Sequence, residues 1–203
     1  MGIEDSMKRR ITPLIQLIYF PIFTLGPGKR LGIWFQGCTI RCKGCIANHS
    51  WEFDPQYKMK WKEIESYLKN EYGKLTISGG EPFDQPEALL KLLKMARKYR
   101  YNDILVYSGY TYTVLDKKYP DILYYIDILI DGPFMEKNET SAIWKGSGNQ
   151  NMYIFNPELK ELYESYGLKE KNRSLQFVEG KQGTFVVGIP FQKDTQEIKD
   201  AIN

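Results

Sequence analysis

Between residues 31 and 130 the chain alternates short apolar runs with amphipathic stretches, and this pattern restricts its fold more than any other feature. Short apolar runs that end at glycine or polar residues are typical of buried strands. The predicted strands are 31–35, 75–77, 104–107 and 126–130. The helices predicted between them lie at about 59–72, 89–96 and 111–118. Strands that alternate with helices indicate repeated βαβ units, and hence an α/β fold with a parallel sheet.

Each predicted strand is followed by a polar or glycine-rich segment. These segments are 36–45, 79–81, 108–109 and 131–132. In parallel α/β folds the carboxyl ends of the strands meet at one edge of the sheet, where ligands and catalytic groups collect. The sequence therefore predicts that the four segments face one cavity.

The length and composition suit one globular domain. The chain has 203 residues, of which 42% are hydrophobic and 26% are charged. The expected divisions are a loose tail at 1–10, a single domain at 11–203, its core at about 25–155 and a C-terminal extension at 156–203. Within the extension, a hairpin is predicted between 175–178 and 184–187, across a glycine-flanked turn.

The apolar stretch at 11–25 follows three basic residues and superficially resembles a signal peptide. Pro13, Gln16 and Pro21 interrupt it, and no small-residue cleavage site follows, so we interpret it as an edge strand or a core-lining segment. The formal net charge of +3 is too small to indicate nucleic acid or an anionic membrane as the main partner. We therefore expect a cytoplasmic protein that binds neither.

The three cysteines of the chain, Cys38, Cys42 and Cys45, lie within eight residues of one another. A secreted disulfide scaffold would spread an even number of cysteines, so this cluster indicates a reducing compartment and a bound metal or metal cluster. Thiolates are the usual ligands of iron–sulfur clusters, and a four-iron cluster normally takes four of them. With three, one iron remains open to an external ligand, and the amino and carboxylate groups of S-adenosylmethionine can chelate such an iron.

Structural zinc is the alternative for these cysteines. His49 is the one histidine of the chain and lies four residues after Cys45, so a tetrahedral Cys₃His site is stereochemically conceivable. A chain with that site would be a zinc-bound interaction module rather than an enzyme.

The cysteine spacing, CxxxCxxC, resembles that of the radical S-adenosylmethionine superfamily. Further runs resemble, in the same order along the chain, the anaerobic ribonucleoside-triphosphate reductase-activating proteins. These runs are GPGKR at 26–30, WFQGC at 34–38, SGGEPF at 78–83, YSGYT at 107–111, DGPF at 131–134 and WKGSGNQ at 144–150. The likeness extends from about residue 15 to about residue 155. Thr39 departs from the family, in which proline is common at this place, and the chain is longer than the shortest members.

The resemblance implies a partial (βα)6-type barrel with a C-terminal β-hairpin extension. It also implies that Cys38, Cys42 and Cys45 hold a [4Fe-4S] cluster, which cleaves S-adenosyl-L-methionine reductively to a 5′-deoxyadenosyl radical. The cofactor-binding positions it implies are Gly44, Cys45 and Ile46 near adenine, Gly79, Gly80 and Glu81 near the methionine amino group, and Ser108 and Asp131 at the ends of later strands.

Considered as residues alone, several of these positions have a structural alternative. The glycines at 79–80 and Ser108 also suit ordinary turns at strand ends, and Asp131 also suits a loop cap. Asp84 is predicted to cap the helix that follows it. The resemblance assigns no role to residues 149–150 (Asn-Gln), which we interpret as structural or partner-facing.

The resemblance further implies a glycyl-radical enzyme as the partner, namely an anaerobic ribonucleotide reductase, and flavodoxin or ferredoxin as the electron donor. One cluster uses all three cysteines, which disfavours radical enzymes that need auxiliary clusters. The alternative within the same chemistry is a radical maturase that acts on another peptide or on a small molecule.

Overall fold

The computed structural model describes residues 11–70, 72–170, 174–180, 183–191, 194–195 and 197–198, so the tail predicted at 1–10 lies outside the described residues. The strands are β1 (Ile15–Ile22), β2 (Arg30–Phe35), β3 (Lys74–Gly79), β4 (Asp103–Tyr107), β5 (Ile128–Asp131), β6 (Asn151–Ile154), β7 (Gln176–Gly180) and β8 (Gly183–Val187). The helices are α1 (Trp61–Leu68), α2 (Pro86–Lys98), α3 (Tyr112–Lys118), α4 (Pro120–Leu123) and α5 (Lys160–Gly167).

Six strands form one sheet in the order β1-β2-β3-β4-β5-β6. Strands β2 to β5 are parallel, which confirms the parallel sheet predicted from the strand–helix alternation. Strands β1 and β6 pair antiparallel at the two edges, so the interpretation of residues 11–25 as an edge strand is also confirmed. Within the described part of the chain the two edge strands do not pair with each other, and the partial barrel stays a prediction.

Helices α1 to α4 cover one face of the sheet. Alternation along β3 directs Leu75 and Ile77 to this face, where both are fully buried in the largest apolar cluster. Helix α2 contributes the predicted apolar stripe to the same cluster: Leu89, Leu92, Leu93 and Ala96. Full burial of each such leucine or isoleucine stabilises the fold by roughly 1.5–3 kcal/mol. No helix among the described residues is both long enough and apolar enough to cross a membrane.

The C-terminal extension covers the opposite face. Strands β7 and β8 form the predicted hairpin, and Val178 and Val187 are buried there with Leu17 of β1. Helix α5, which the sequence pattern does not predict, buries Tyr163 and Tyr166 in a cluster with apolar residues of β4 and β5. The extension is therefore part of the core rather than an appendage.

A buried ion pair lies at the amino ends of β2 and β4. The guanidinium of Arg30 is fully buried and donates to both carboxylate oxygens of Asp103, at 2.8 and 2.9 Å. It also donates to the Thr76 hydroxyl at 2.7 Å and to the Leu75 carbonyl oxygen at 2.8 Å. The Tyr163 hydroxyl of α5 donates to Asp103 at 2.6 Å. Because the buried charges are paired and hydrogen-bonded, the network joins three parallel strands to the C-terminal extension.

Replacing Tyr163 with phenylalanine should lower the free energy of unfolding by about 1–3 kcal/mol, because a buried carboxylate loses a donor. Urea denaturation of the metal-free protein measures this change. Tyr124→Phe is the matched control, since the Tyr124 side chain is 82% exposed, and it should stay within about 0.5 kcal/mol of wild type. Equal stability of the two variants would show that the bond to Asp103 does not hold α5.

Candidate active site

The cysteine loop, residues 36–45, follows the carboxyl end of β2. The Cys38 N–H donates to the Trp51 carbonyl oxygen at 2.9 Å, which ties the start of the loop to the chain that follows it. Cys38 is buried, whereas Cys42 and Cys45 are partly exposed. All three cysteines lie within the described residues, and none forms a disulfide bond. The loop therefore presents three thiols in their reduced form at the edge of the sheet where the sequence predicts the site.

Backbone groups hydrogen-bond two of these thiols. Burial raises the pKa of the Cys38 thiol, and hydrogen bonds from the backbone at Arg41 and Ile40 partly offset the rise. Burial also raises the pKa of the Cys42 thiol, and the backbone at Phe134 hydrogen-bonds this sulfur. Such bonds favour the thiolate, the form of cysteine that binds metal, whereas burial disfavours it in the absence of a cation.

Three thiols on one loop are a donor set that fits an iron–sulfur cluster, whose usual ligands are cysteine thiolates. Among the described residues, no three His, Cys, Asp or Glu side chains gather around one position for a metal ion. A four-iron cluster takes its cysteines on separate irons, so they need not share one centre. His49 is exposed in the short turn Asn48–Ser50, and its ring lies 6.3 Å from that of Phe185 in the hairpin.

Two glycines at the end of β3 lie directly against the start of the cysteine loop. The Gly80 N–H donates to the Phe35 carbonyl oxygen, and the Glu81 N–H to the Gly37 carbonyl oxygen, both at 2.8 Å. A Cβ atom on Gly79 would lie 2.3 Å from the Phe35 oxygen, and one on Gly80 would lie 2.2 Å from the Gly37 oxygen. The missing side chains thus let two backbones meet. The contact with a cofactor amino group that the resemblance implies here stays a prediction.

The Glu81 side chain joins the loops after β3 and β4. It is buried, and its carboxylate accepts from the Phe83 N–H and the Ser108 hydroxyl, both at 3.0 Å, and from the Gly109 N–H at 2.7 Å. Burial raises the pKa of Glu81 to about 7, against the opposing effect of these bonds. Glu81 and Ser108 therefore meet as the shared-edge argument predicts, while their contact with a cofactor stays a prediction.

The Asp131 carboxylate forms hydrogen bonds with other groups of the protein. Its buried carboxylate accepts from the Tyr112 N–H at 2.6 Å, at the start of α3, and from the backbone and side-chain nitrogens of Asn151, both at 3.1 Å. These contacts support the loop-cap alternative for Asp131. A role of this carboxylate toward a cofactor stays a prediction.

Glu136, which lies beyond the end of β5, contacts the two residues that precede the third cysteine. Gly44 has a φ of +77°, and a Cβ atom on it would lie 2.6 Å from a carboxylate oxygen of Glu136. Lys43 forms an ion pair with the same carboxylate at 3.9 Å. Ile46, on the other side of Cys45 in the sequence, is partly buried. The adenine contact that the resemblance implies for Gly44 and Ile46 stays a prediction.

The contacts of residues 149–150 support the structural alternative for the Asn-Gln run and identify the segment that it holds. The Gln150 side-chain amide donates to the Gly132 carbonyl oxygen at 2.9 Å, and the Asn149 amide donates to the Pro133 carbonyl oxygen at 2.8 Å. The next residue, Phe134, is the one whose backbone hydrogen-bonds the Cys42 thiol. The two amides therefore support the segment that contacts the cysteine loop. Their position in the sequence, 16 and 18 residues from these carbonyls, gives no local signal of it.

The prediction that Asp84 caps the following helix is wrong. Helix α2 has Gln85 rather than Asp84 at its N-cap, without a side-chain capping bond, and begins with Pro86, a residue favoured at the first helical position. Asp84 instead accepts from the Thr39 N–H at 2.6 Å and from the Tyr110 hydroxyl at 2.7 Å.

Comparisons with known proteins agree with this geometry. The chain matches the profile of the 4Fe-4S single cluster domain over residues 24–153. It is 37% identical over 150 residues to the anaerobic ribonucleoside-triphosphate reductase-activating protein of Haemophilus influenzae, which covers 68% of this chain and 97% of that relative. Identity to the protein of the same name is 32% over 149 residues in Vibrio cholerae, covering 68% and 96% of the two chains. In Enterobacteria phage T4 it is 31% over 143 residues, covering 67% and 90%.

Replacing Gly79 with alanine should impair both folding and iron uptake, because its Cβ would meet the backbone of Phe35 at 2.3 to 2.4 Å. Gly73→Ala is the matched control: Gly73 also has a positive φ, of +75°, but nothing lies within 4 Å of the added atom. We expect a loss of about 1 kcal/mol in the control and at least twice that in Gly79→Ala. Urea denaturation and iron analysis after reconstitution measure the two effects, and equal losses would contradict the backbone contact.

The stability of the metal-free protein should depend on the titration of Glu81. Because its pKa in the folded protein is raised from 4.5 to about 7, the folded state binds the proton more tightly than the unfolded chain. This stabilisation is complete below pH 4.5 and is lost as the pH rises through 7, by about 3 kcal/mol in all. Urea denaturation across this range should show a shallower decline in Glu81→Gln than in wild type. Parallel profiles would mean that Glu81 is ionised throughout.

Proposed function

The chain belongs to the family of anaerobic ribonucleoside-triphosphate reductase-activating proteins, and we propose that it generates a glycyl radical on an anaerobic ribonucleotide reductase. The single observation that carries the proposal is the cysteine loop. Cys38, Cys42 and Cys45 lie at the carboxyl edge of a parallel sheet, with backbone hydrogen bonds to the first two sulfurs.

A [4Fe-4S] cluster held by these cysteines would bind S-adenosylmethionine at its open iron and supply the electron that releases a 5′-deoxyadenosyl radical, which removes a hydrogen atom from a glycine α-carbon. The chain's own residues hold and orient the reactants. The three thiolates hold the irons. Backbone groups of 79–81 are proposed to orient the methionine amino group, and Gly44 and Ile46 to contact adenine. Ser108 and Asp131 complete the edge through which the cofactor is proposed to bind.

We propose that the electron comes from another protein, flavodoxin or ferredoxin. The exposed iron that this chemistry needs is sensitive to oxygen, so the proposed setting is a reducing, anaerobic cytoplasm. We also propose that the sheet is the open part of a (βα)6-type barrel, with the C-terminal extension over its inner face; the parallel order β2-β3-β4-β5 supports this reading.

The decisive experiment uses reconstituted, reduced protein with S-adenosylmethionine and an anaerobic ribonucleotide reductase. We expect a brown, iron-containing protein, formation of 5′-deoxyadenosine, and a glycyl-radical signal on the reductase by electron paramagnetic resonance. Single Cys38→Ala, Cys42→Ala and Cys45→Ala variants should lose both products, because each leaves the cluster without a ligand. His49→Ala is the control and should keep both.

Each other outcome points to a different protein. Deoxyadenosine without a glycyl radical would keep the radical chemistry but indicate another substrate, such as a peptide. A colourless protein with one zinc and no iron, whose zinc is lost in His49→Ala, would overturn the enzymatic proposal in favour of a Cys₃His module.

A further inference from the structure

A three-residue hydrogen-bonded cluster, Thr39, Asp84 and Tyr110, joins the loops that follow β2, β3 and β4. One oxygen of the Asp84 carboxylate accepts from the Thr39 N–H at 2.6 Å, and the other accepts from the Tyr110 hydroxyl at 2.7 Å. The Thr39 hydroxyl lies 3.1 Å from the same tyrosine oxygen. Each pair of residues in the cluster is thus in contact, although the three lie on different loops.

The Thr39–Asp84–Tyr110 cluster includes the residue next to the first cysteine. Thr39 follows Cys38 directly, and the next two residues, Ile40 and Arg41, are those whose backbone hydrogen-bonds the Cys38 sulfur. Arg41 has a φ of +50°, an uncommon conformation for a side-chain-bearing residue. The bond from the Thr39 N–H to Asp84 therefore orients the chain just before Ile40 and Arg41, whose backbone groups hydrogen-bond the sulfur.

The bond from Thr39 to Asp84 requires a backbone N–H at residue 39. Proline has no N–H and cannot donate to a carboxylate, so a chain with proline at this place cannot form the bond.

The negative charge of Asp84 also affects the environment of Cys38. The Asp84 carboxylate accepts from the N–H of the residue that directly follows Cys38, so its negative charge lies close to this cysteine. A negative charge there opposes the addition of an electron to an iron–sulfur cluster bound at Cys38. Reduction of such a cluster should therefore become easier when the carboxylate is made neutral.

We propose that Asp84 is a positioning residue of the iron–sulfur site, which orients the loop around Cys38 through the Thr39 N–H and lowers the reduction potential of the bound cluster through its charge. This inference rests on the proposed function only in requiring the cluster. It assigns two separable effects to one side chain, a hydrogen bond and a charge.

Two variants separate these effects. Asp84→Asn removes the charge but keeps an oxygen that can accept from Thr39, so the cluster's midpoint potential should become more positive while iron retention changes little. This shift in midpoint potential should become smaller as the salt concentration rises, because the Thr39–Asp84 bond is exposed and dissolved ions can screen the charge of Asp84. Thr39→Pro removes the donor and keeps the charge, so iron should be lost to a chelator faster, by about tenfold, with a smaller change in potential. Thr39→Ser keeps the N–H and the hydroxyl and should behave as wild type.

The measurements are a redox titration followed by electron paramagnetic resonance and the rate of iron release to a chelator, on full-length protein. Circular dichroism of each metal-free variant checks that it is folded. Tyr110→Phe removes the tyrosine hydroxyl but leaves the bond from Thr39 to Asp84 in place, so its rate of iron release should lie between those of wild type and Thr39→Pro. Asp84→Asn with an unchanged potential at low salt would overturn the effect of charge, and Thr39→Pro with an unchanged release rate would overturn the orienting bond. Failure of the wild-type protein to bind iron would instead refute the proposed function.

Discussion

The close approach of two backbones determines the arrangement of the candidate site. Gly79 and Gly80 lie against residues 35–37, at a distance that leaves no space for a side-chain atom between them. Hydrogen bonds from the Gly80 and Glu81 N–H groups close this contact. The start of the cysteine loop is therefore fixed by the neighbouring parallel strand, and the loops after β3 and β4 can reach it. The bonds from Cys38 to Trp51 and from Thr39 to Asp84 then hold the loop beyond this point.

Local patterns in the sequence predict the parts of the fold that depend on local physics. The apolar runs of β2 to β5 and the stripe of α2 follow from the periodicity of buried strands and helices, and the shared edge of parallel strands correctly brings Glu81 and Ser108 together. Strand β6 and helix α5 are missed because they lack such a pattern. The four residues of β6 are not fully buried, and α5 buries Tyr163 and Tyr166 in place of aliphatic residues.

Contacts between distant segments are what the sequence does not reveal. Asp84 is a suitable helix cap by its position, yet its carboxylate binds an N–H that lies 45 residues earlier. Gln150 likewise serves a carbonyl group 18 residues away. Capping rules describe what a side chain can bind nearby, whereas a folded loop offers donors from any part of the chain. The three cysteines can be proposed as metal ligands from the sequence because their spacing is a local feature, whereas the side chains that support their loop come from distant segments.

The location of the Arg30–Asp103 pair has a consequence for how the protein matures. The pair lies at the amino ends of the strands, whereas the cysteines follow a carboxyl end, so this buried ion pair and the proposed metal ligands are at opposite edges of the sheet. In small zinc-binding domains the metal supplies the folding energy, and the metal-free chain is unfolded. Here the scaffold is joined together by interactions that need no iron. We therefore expect the metal-free chain to fold by itself and to receive the cluster as a folded protein.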